Sequence, residues 1–431
     1  MPRFSLSDKY VKNLLWLLFD YSLRLVGGYF IAIWLARELG PKYYGIYNYA
    51  IANASILAAI AVAGLQGVAI KFLVENKEEH HTYMGTIFWI RIMAAFISYV
   101  FLFAYLFFNE PTLSTKAILS LFIGLKVFFT PLSVVELYFE SIVKSKFKVI
   151  SRNIAYAIRS VLIVLFIVLE WPFLALGFIV LIEELLGVFW LLFYYKKDKK
   201  SVLKWQFNLG FAKAMMHEAW PMVISSAGAI LYMKIDQVMV VELLSEKEGG
   251  YYSAAVKISE LFSFIPGLIV GTFFPAIIES KMKNEIDYKS KMRKLILLML
   301  TIAGILGLGI YLFAYEFVFY SFGEDYISSV SIIRIHIWTL LLTFTAAVLS
   351  RWLIVEKLTR FSILRHSIGV VINIVLNFLL IPKFGGEGAA YASIVSLLFA
   401  VVIFTVFDKR TFSFLQLLLS SLFIIPLIKK R

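Results

Sequence analysis

The chain has 431 residues, 61% of them apolar and 16% charged, a balance that excludes an ordinary water-soluble globule. Its formal charge of +14 lies in short basic stretches between apolar runs, which suits anionic lipid headgroups and membrane topology and speaks against nucleic acid as a partner. With no cysteine, disulfides, thiolate metal sites and thiol catalysis are excluded.

Apolar windows long enough to cross a bilayer, roughly 20 residues each, predict twelve spans in chain order: 11–36, 43–70, 83–108, 117–140, 149–169, 173–195, 214–242, 251–279, 295–320, 329–354, 361–382 and 387–407. The first run is too long for a cleavable signal, so the N-terminus is expected to be retained. Alternate loops carry 26 Lys and Arg residues against 5 in the opposite set. The positive-inside rule then places the N-terminus and the loop 196–213 in the cytoplasm. This gives an all-α integral membrane fold with an N-terminal six-helix bundle (1–195), a cytoplasmic linker (196–213), a C-terminal six-helix bundle (214–407) and an apolar tail (408–431). The tail is read as an interfacial segment or an additional span, the former favoured because a crossing would strand Lys429, Lys430 and Arg431 outside. The halves echo each other: Gly45-Ile46-Tyr47-Asn48-Tyr49-Ala50 and Gly250-Tyr251-Tyr252-Ser253-Ala254-Ala255 both read Gly-x-Tyr-x-x-Ala. An even number of spans per half implies a common orientation.

Charges inside apolar runs carry the functional signal, because a basic side chain at mid-bilayer costs about 2.5–3.5 kcal/mol even on the lenient insertion scale. Asp20 and Arg24 share a face of the first span, and Lys126 and Arg159 stand near the centres of the fourth and fifth. Lys234 and Asp236 mark the seventh span and Lys257 and Glu260 the eighth; Arg91 and Arg334 lie nearer the ends of theirs. Counted span by span, the deep cations Arg24, Lys126, Arg159, Lys234 and Lys257 outnumber the acids Asp20, Asp236 and Glu260. That surplus calls for a hydrated cavity or a bound anion such as pyrophosphate. Glu136, Glu140 and Lys144 read as an ion-pair ladder, Glu183-Glu184 as either titratable or paired with neighbouring helices, and Asn373 and Asn377 as interhelical glue. Pro131, Pro221, Pro266 and Pro275 are candidate helix breaks. The scattered histidines, His80-His81 included, do not form a metal site, and no phosphate-binding Gly-Lys-Ser/Thr motif is present, so neither metal nor ATP hydrolysis is expected.

Three motifs in order resemble the polysaccharide-type flippases. They are Leu39-Gly40-Pro41-Lys42-Tyr43-Tyr44-Gly45-Ile46-Tyr47; Tyr232-Met233-Lys234-Ile235-Asp236-Gln237 with Tyr252-Ser253-Ala254-Ala255 and Ser259-Glu260; and Ile381-Pro382-Lys383-Phe384-Gly385-Gly386-Glu387-Gly388-Ala389-Ala390. The chain is similar to Wzx-like oligosaccharide flippases of the multidrug/oligosaccharidyl-lipid/polysaccharide superfamily. The resemblance implies two six-helix bundles around a central cavity, a polyprenyl-diphosphate-linked oligosaccharide as substrate, and polysaccharide polymerase or assembly proteins as partners. It also implies a transporter rather than an enzyme, in the inner or plasma membrane. No cofactor is expected, and the energy would come from consumption of the substrate outside or from a H⁺ or Na⁺ gradient, for which Asp20, Asp236 and Glu260 are the candidate coupling carboxylates. An ion-coupled drug-cation antiporter of the same superfamily is the alternative, and a membrane glycosyltransferase or ligase a second.

Overall fold

The computed structural model describes residues 8–62, 65–76, 78–110 and 114–423. Arg3, Lys77 and the terminal Lys429, Lys430 and Arg431, used above to weigh topology, lie outside them. So does the tail beyond Phe423, and with it the question of a further span.

Sixteen helices make up the described chain: α1 (Asp8–Val62), α2 (Leu65–Glu75), α3 (His80–Asn109), α4 (Thr115–Gly124), α5 (Val134–Ser141), α6 (Lys146–Val168), α7 (Ala175–Lys197), α8 (Leu209–Leu243), α9 (Glu246–Glu260), α10 (Ile265–Lys283), α11 (Glu285–Leu312), α12 (Ala314–Phe322), α13 (Ser329–His336), α14 (Thr339–Val355), α15 (Arg360–Val401) and α16 (Lys409–Phe423). Ten helical stretches are long and apolar enough to cross a membrane. Two of these, Leu23–Glu75 and Arg360–Val406, run to 53 and 47 residues, far beyond the roughly 30 Å of a hydrocarbon core at 1.5 Å per residue. Each contains one glycine with non-helical dihedrals: Gly40 (φ 67, ψ 171) in α1 and Gly385 (φ 63, ψ −145) in α15. Dividing the two stretches there turns ten into the twelve spans expected. A positive φ is strained for any residue with a Cβ, and both glycines sit inside the motifs that carry the family resemblance.

Three other spans are interrupted, one of them by the turn at 337–338 between α13 and α14. Between α4 and α5 the residues Leu125–Ser133 wind as a 3₁₀ helix that contains Lys126 and Pro131. Proline cannot donate to a carbonyl one turn back, and side-chain hydroxyls take up the freed groups: Thr130 Oγ1 donates to the Val127 carbonyl and Ser133 Oγ to that of Thr130. Residues 261–264 break the next, between Glu260 and the Pro266 turn that opens α10. Pro221 and Pro275 lie within α8 and α10 without interrupting them.

The chain forms two compact units, Met1–Leu39 with Tyr43–Lys234, and Gly40–Lys42 with Ile235–Arg431. The first (unit 1) has apolar clusters around Leu119, Ile163 and Leu176, around Tyr83, Leu137 and Leu191, around Leu57, Leu102 and Val127, and around Leu65, Val68 and Ala219. The division falls inside α8, and the polar loop 196–213 belongs wholly to unit 1. It is held there as a strap. The amide of Gln206 donates to the His81 carbonyl, that of Asn208 to Thr86 Oγ1, and Trp205 Nε1 to the Tyr195 hydroxyl, which also meets His80 Nε2 at 2.9 Å. Asp198 accepts from the Tyr138 hydroxyl and from Lys144. In unit 2, α16 packs its Phe414 on Trp352 of α14, and Arg293 of α11 donates to the Ser420 carbonyl.

Candidate functional site

Ionised side chains from several helices meet along one face of α6 in unit 1. Lys148, Arg152 and Arg159 lie at helical spacing on that face. Lys148 reaches Glu136 (3.2 Å) and Glu140 (2.6 Å) of α5. Arg152 clamps Glu136 through Nε and Nη2, both at 2.7 Å, and holds Glu184 of α7 through Nη1 at 2.9 Å. Gln66 Nε2 donates to Glu140. Arg159, two turns further on, donates from Nη2 to the Tyr47 hydroxyl (3.1 Å) and lies 3.3 Å from Glu183.

Arg24 and Asp20 of α1 form the pair expected from their spacing, at 2.7 Å. The Arg24 guanidinium sits 5.6 Å from the centre of the Tyr156 ring, itself one turn before Arg159, and its Nη2 is buried without a hydrogen-bond partner. Lys126 enters from the 3₁₀ stretch with Glu184, Glu183, Arg159 and Arg152 as its electrostatic neighbours. It makes no ion pair among the described residues.

Arg24, Lys126 and Arg159 thus fall in one unit, with Asp20 beside them. The cation surplus read from single spans shrinks, because acids arrive from neighbouring helices: Glu183 and Glu184 answer Arg159 and Arg152, and Glu136 answers Arg152 and Lys148. Lys144, placed in the Glu136–Glu140 ladder by spacing, turns instead to Asp198, and Lys148 takes its place. Arg91, 1% exposed, donates to Ser133 Oγ at the end of the 3₁₀ stretch. Arg334 stacks over Tyr311.

Unit 2 buries a carboxyl group. Asp236, 5% exposed, accepts hydrogen bonds from Tyr252 Oη (2.9 Å), Asn377 Nδ2 (2.6 Å) and Ser393 Oγ, drawn from α9 and from both sides of the Gly385 kink in α15. Asn377 Nδ2 also donates to Asn373 Oδ1, while Asn377 Oδ1 is buried without a partner. Asp236 makes no ion pair among the described residues. Lys257 and Glu260 are partly exposed near the break at 261–264, and Lys234 is the last residue of unit 1. Beside Glu260, His336 Nδ1 lies 2.9 Å from Ser259 Oγ.

Tyr47, Tyr252 and Ser393 carry these networks and escaped the sequence reading. A signal existed for two: Tyr47 and Tyr252 are the tyrosines of the repeated Gly-x-Tyr-x-x-Ala segments. In one unit that tyrosine contacts a cation, in the other an anion.

Helices of membrane length, with ionisable groups buried among them in each of two units, define a multi-pass membrane protein. The chain belongs to the family described as "Polysaccharide biosynthesis protein", whose model matches residues 10–281. A Shigella flexneri relative named "Putative O-antigen transporter" is 24% identical over 405 residues, covering 88% of this chain and 93% of that protein. Among solved structures, the lipid II flippase MurJ in an inward closed conformation superposes with a TM-score of 0.71 at 17% identity, covering 96% of this chain and 91% of that one. An inward-facing multidrug resistance MATE family transporter of the MOP superfamily superposes at 0.70 with 12% identity, covering 91% and 95%. At these identities the two structures establish a shared fold.

Proposed function

We propose that the chain is a flippase that carries a polyprenyl-diphosphate-linked oligosaccharide from the cytoplasmic to the outer leaflet of the inner or plasma membrane by alternating access. It serves surface polysaccharide or glycoprotein assembly and is a transporter, not an enzyme. The family and the Shigella relative support the substrate class. The observation that carries the reading is the opposite charge at the two repeat tyrosines: Tyr47 on Arg159 in unit 1, Tyr252 on Asp236 in unit 2. A cationic unit suits a diphosphate, whose oxygens match the guanidinium fork. A lone carboxylate among neutral oxygen donors suits a small cation or a proton.

Arg24 and Arg159 are therefore the headgroup contacts in unit 1, with Lys126 as a further cation beside Arg159. Asp236 is the first coupling carboxylate, since Asp20 is already neutralised by Arg24; Glu260 is the third candidate. The polyprenyl tail stays in lipid while the polar headgroup crosses. Exporting cationic drugs is the competing activity, and it would want a net acidic interior in both units.

Proteoliposomes loaded on one leaflet with a labelled polyprenyl-diphosphate oligosaccharide test this. The proposal expects wild-type protein to expose the glycan to an impermeant glycosidase well above protein-free vesicles. Gradient-driven efflux of a cationic dye with no glycan exposure would assign the antiporter activity instead.

A further inference from the structure

The cations of unit 1 are of two kinds. Arg152 and Lys148 are saturated, each by two carboxylates. Arg159 is half served: Glu183 stands 3.3 Å from its Nε, and that Nε makes no hydrogen bond. Lys126, with Glu183 and Glu184 as neighbours, has no ion pair among the described residues. Arg159 and Glu183 keep 23% and 19% of their side-chain surface exposed.

A loosely bonded carboxylate beside one occupied and one vacant cation has two berths of similar energy. With Glu183 on Arg159, two cations that would otherwise repel at low dielectric are partly neutralised. A diphosphate brings two or more negative charges, repels Glu183, and offers the guanidinium a better geometry than Glu183 does. Lys126, which has Glu183 among its electrostatic neighbours, is then a cation open to the displaced carboxylate. A transport site must also let go, and a carboxylate able to return to Arg159 competes the headgroup off.

We propose that Glu183 is a displaceable internal counter-anion, held on Arg159 when the site is empty and passed to Lys126 when a diphosphate headgroup takes Arg159. This rests on the flippase reading above and adds to it a positioning residue that sets headgroup affinity and release.

Glu183→Gln removes the competitor. Inorganic pyrophosphate titrated calorimetrically into the purified full chain then binds about two- to five-fold tighter, the range for a partly exposed ion pair. In proteoliposomes the half-saturating lipid-linked substrate falls and turnover at saturation falls with it. Glu183→Asp keeps the charge one methylene further back and shifts both quantities the same way by less, which covers a Gln variant that does not fold. Unchanged or weaker pyrophosphate affinity in whichever Glu183 variant folds overturns the proposal, while wild-type binding and flipping leave the flippase reading standing. A wild-type protein that neither binds pyrophosphate nor flips the lipid-linked substrate overturns that reading and this inference with it.

Discussion

Tyr47 and Tyr252 occupy one place in a repeated segment and meet different groups, a guanidinium and a carboxyl. The donors around Asp236 are the sharper case, because a buried carboxylate that loses a hydrogen bond loses about 1–3 kcal/mol. Tyr252→Phe and Ser393→Ala are each expected to lower the thermal midpoint of the purified protein, whereas Ser331→Ala, on an exposed site of α13, leaves it unchanged. Equal midpoints for all three would mean the cage is not formed. The charged positions were legible in the sequence because an ionisable residue in an apolar run has few innocent explanations. Their partners were not: a tyrosine or serine in a span reads as tolerated, and which acid answers Arg159 depends on helix neighbours that no single span reveals.

At the scale of elements, the kinks were legible and the strap was not. Gly40 precedes Pro41, and Gly385 follows Pro382, so both breaks announce themselves in composition. Gly40→Ala and Gly385→Ala are each expected to cost about 1–2 kcal/mol through the positive φ alone. Gly250→Ala costs more, since an added Cβ would lie 1.9 Å from the Pro41 carbonyl oxygen. Gly304→Ala, in open helical surroundings within α11, is neutral or stabilising by about 0.5–1 kcal/mol. Denaturation midpoints of the four variants check the order.

The strap 196–213 looked like a free linker because its lysines are polar and unpatterned; single residues, Trp205, Asn208 and Asp198, pin it. Burial opposes ionisation of Asp198, but hydrogen bonds from Tyr138 and Lys144 outweigh it and hold its carboxyl below the usual range. A lowered folded-state pKa stabilises above the ordinary carboxylate value, about 3.9, and that stabilisation is lost as pH falls through the folded value. Cleavage of the strap by an acid-tolerant protease is therefore expected to be slow and flat down to about pH 4 and to rise below it. Asp198→Asn should be cleaved faster at neutral pH. Equal cleavage of the two proteins at pH 7 would remove Asp198 from the clasp.

For the whole molecule, the loop charges predict sidedness, and the absence of cysteine makes it simple to measure. Leu203→Cys, 93% exposed on the strap, should react with an impermeant maleimide only after the cells are opened. Lys247→Cys, in the opposite set of loops, should react in intact cells. The reverse pattern would invert the topology and the direction of transport. The span count was visible in hydropathy. The proposed division of labour between the two units was not, because it rests on which group each repeat tyrosine meets.

That division is the central claim, and flipping of a labelled polyprenyl-diphosphate oligosaccharide in proteoliposomes, with and without an imposed Na⁺ or H⁺ gradient, tests it in two variants. Arg159→Gln is expected to lose transport under both conditions, since the headgroup contact is gone. Asp236→Asn should keep gradient-free exchange near the wild-type rate and lose the acceleration a gradient gives. If Asp236→Asn is accelerated as the wild type is, or if Arg159→Gln transports normally, the assignment of substrate to one unit and coupling ion to the other is contradicted.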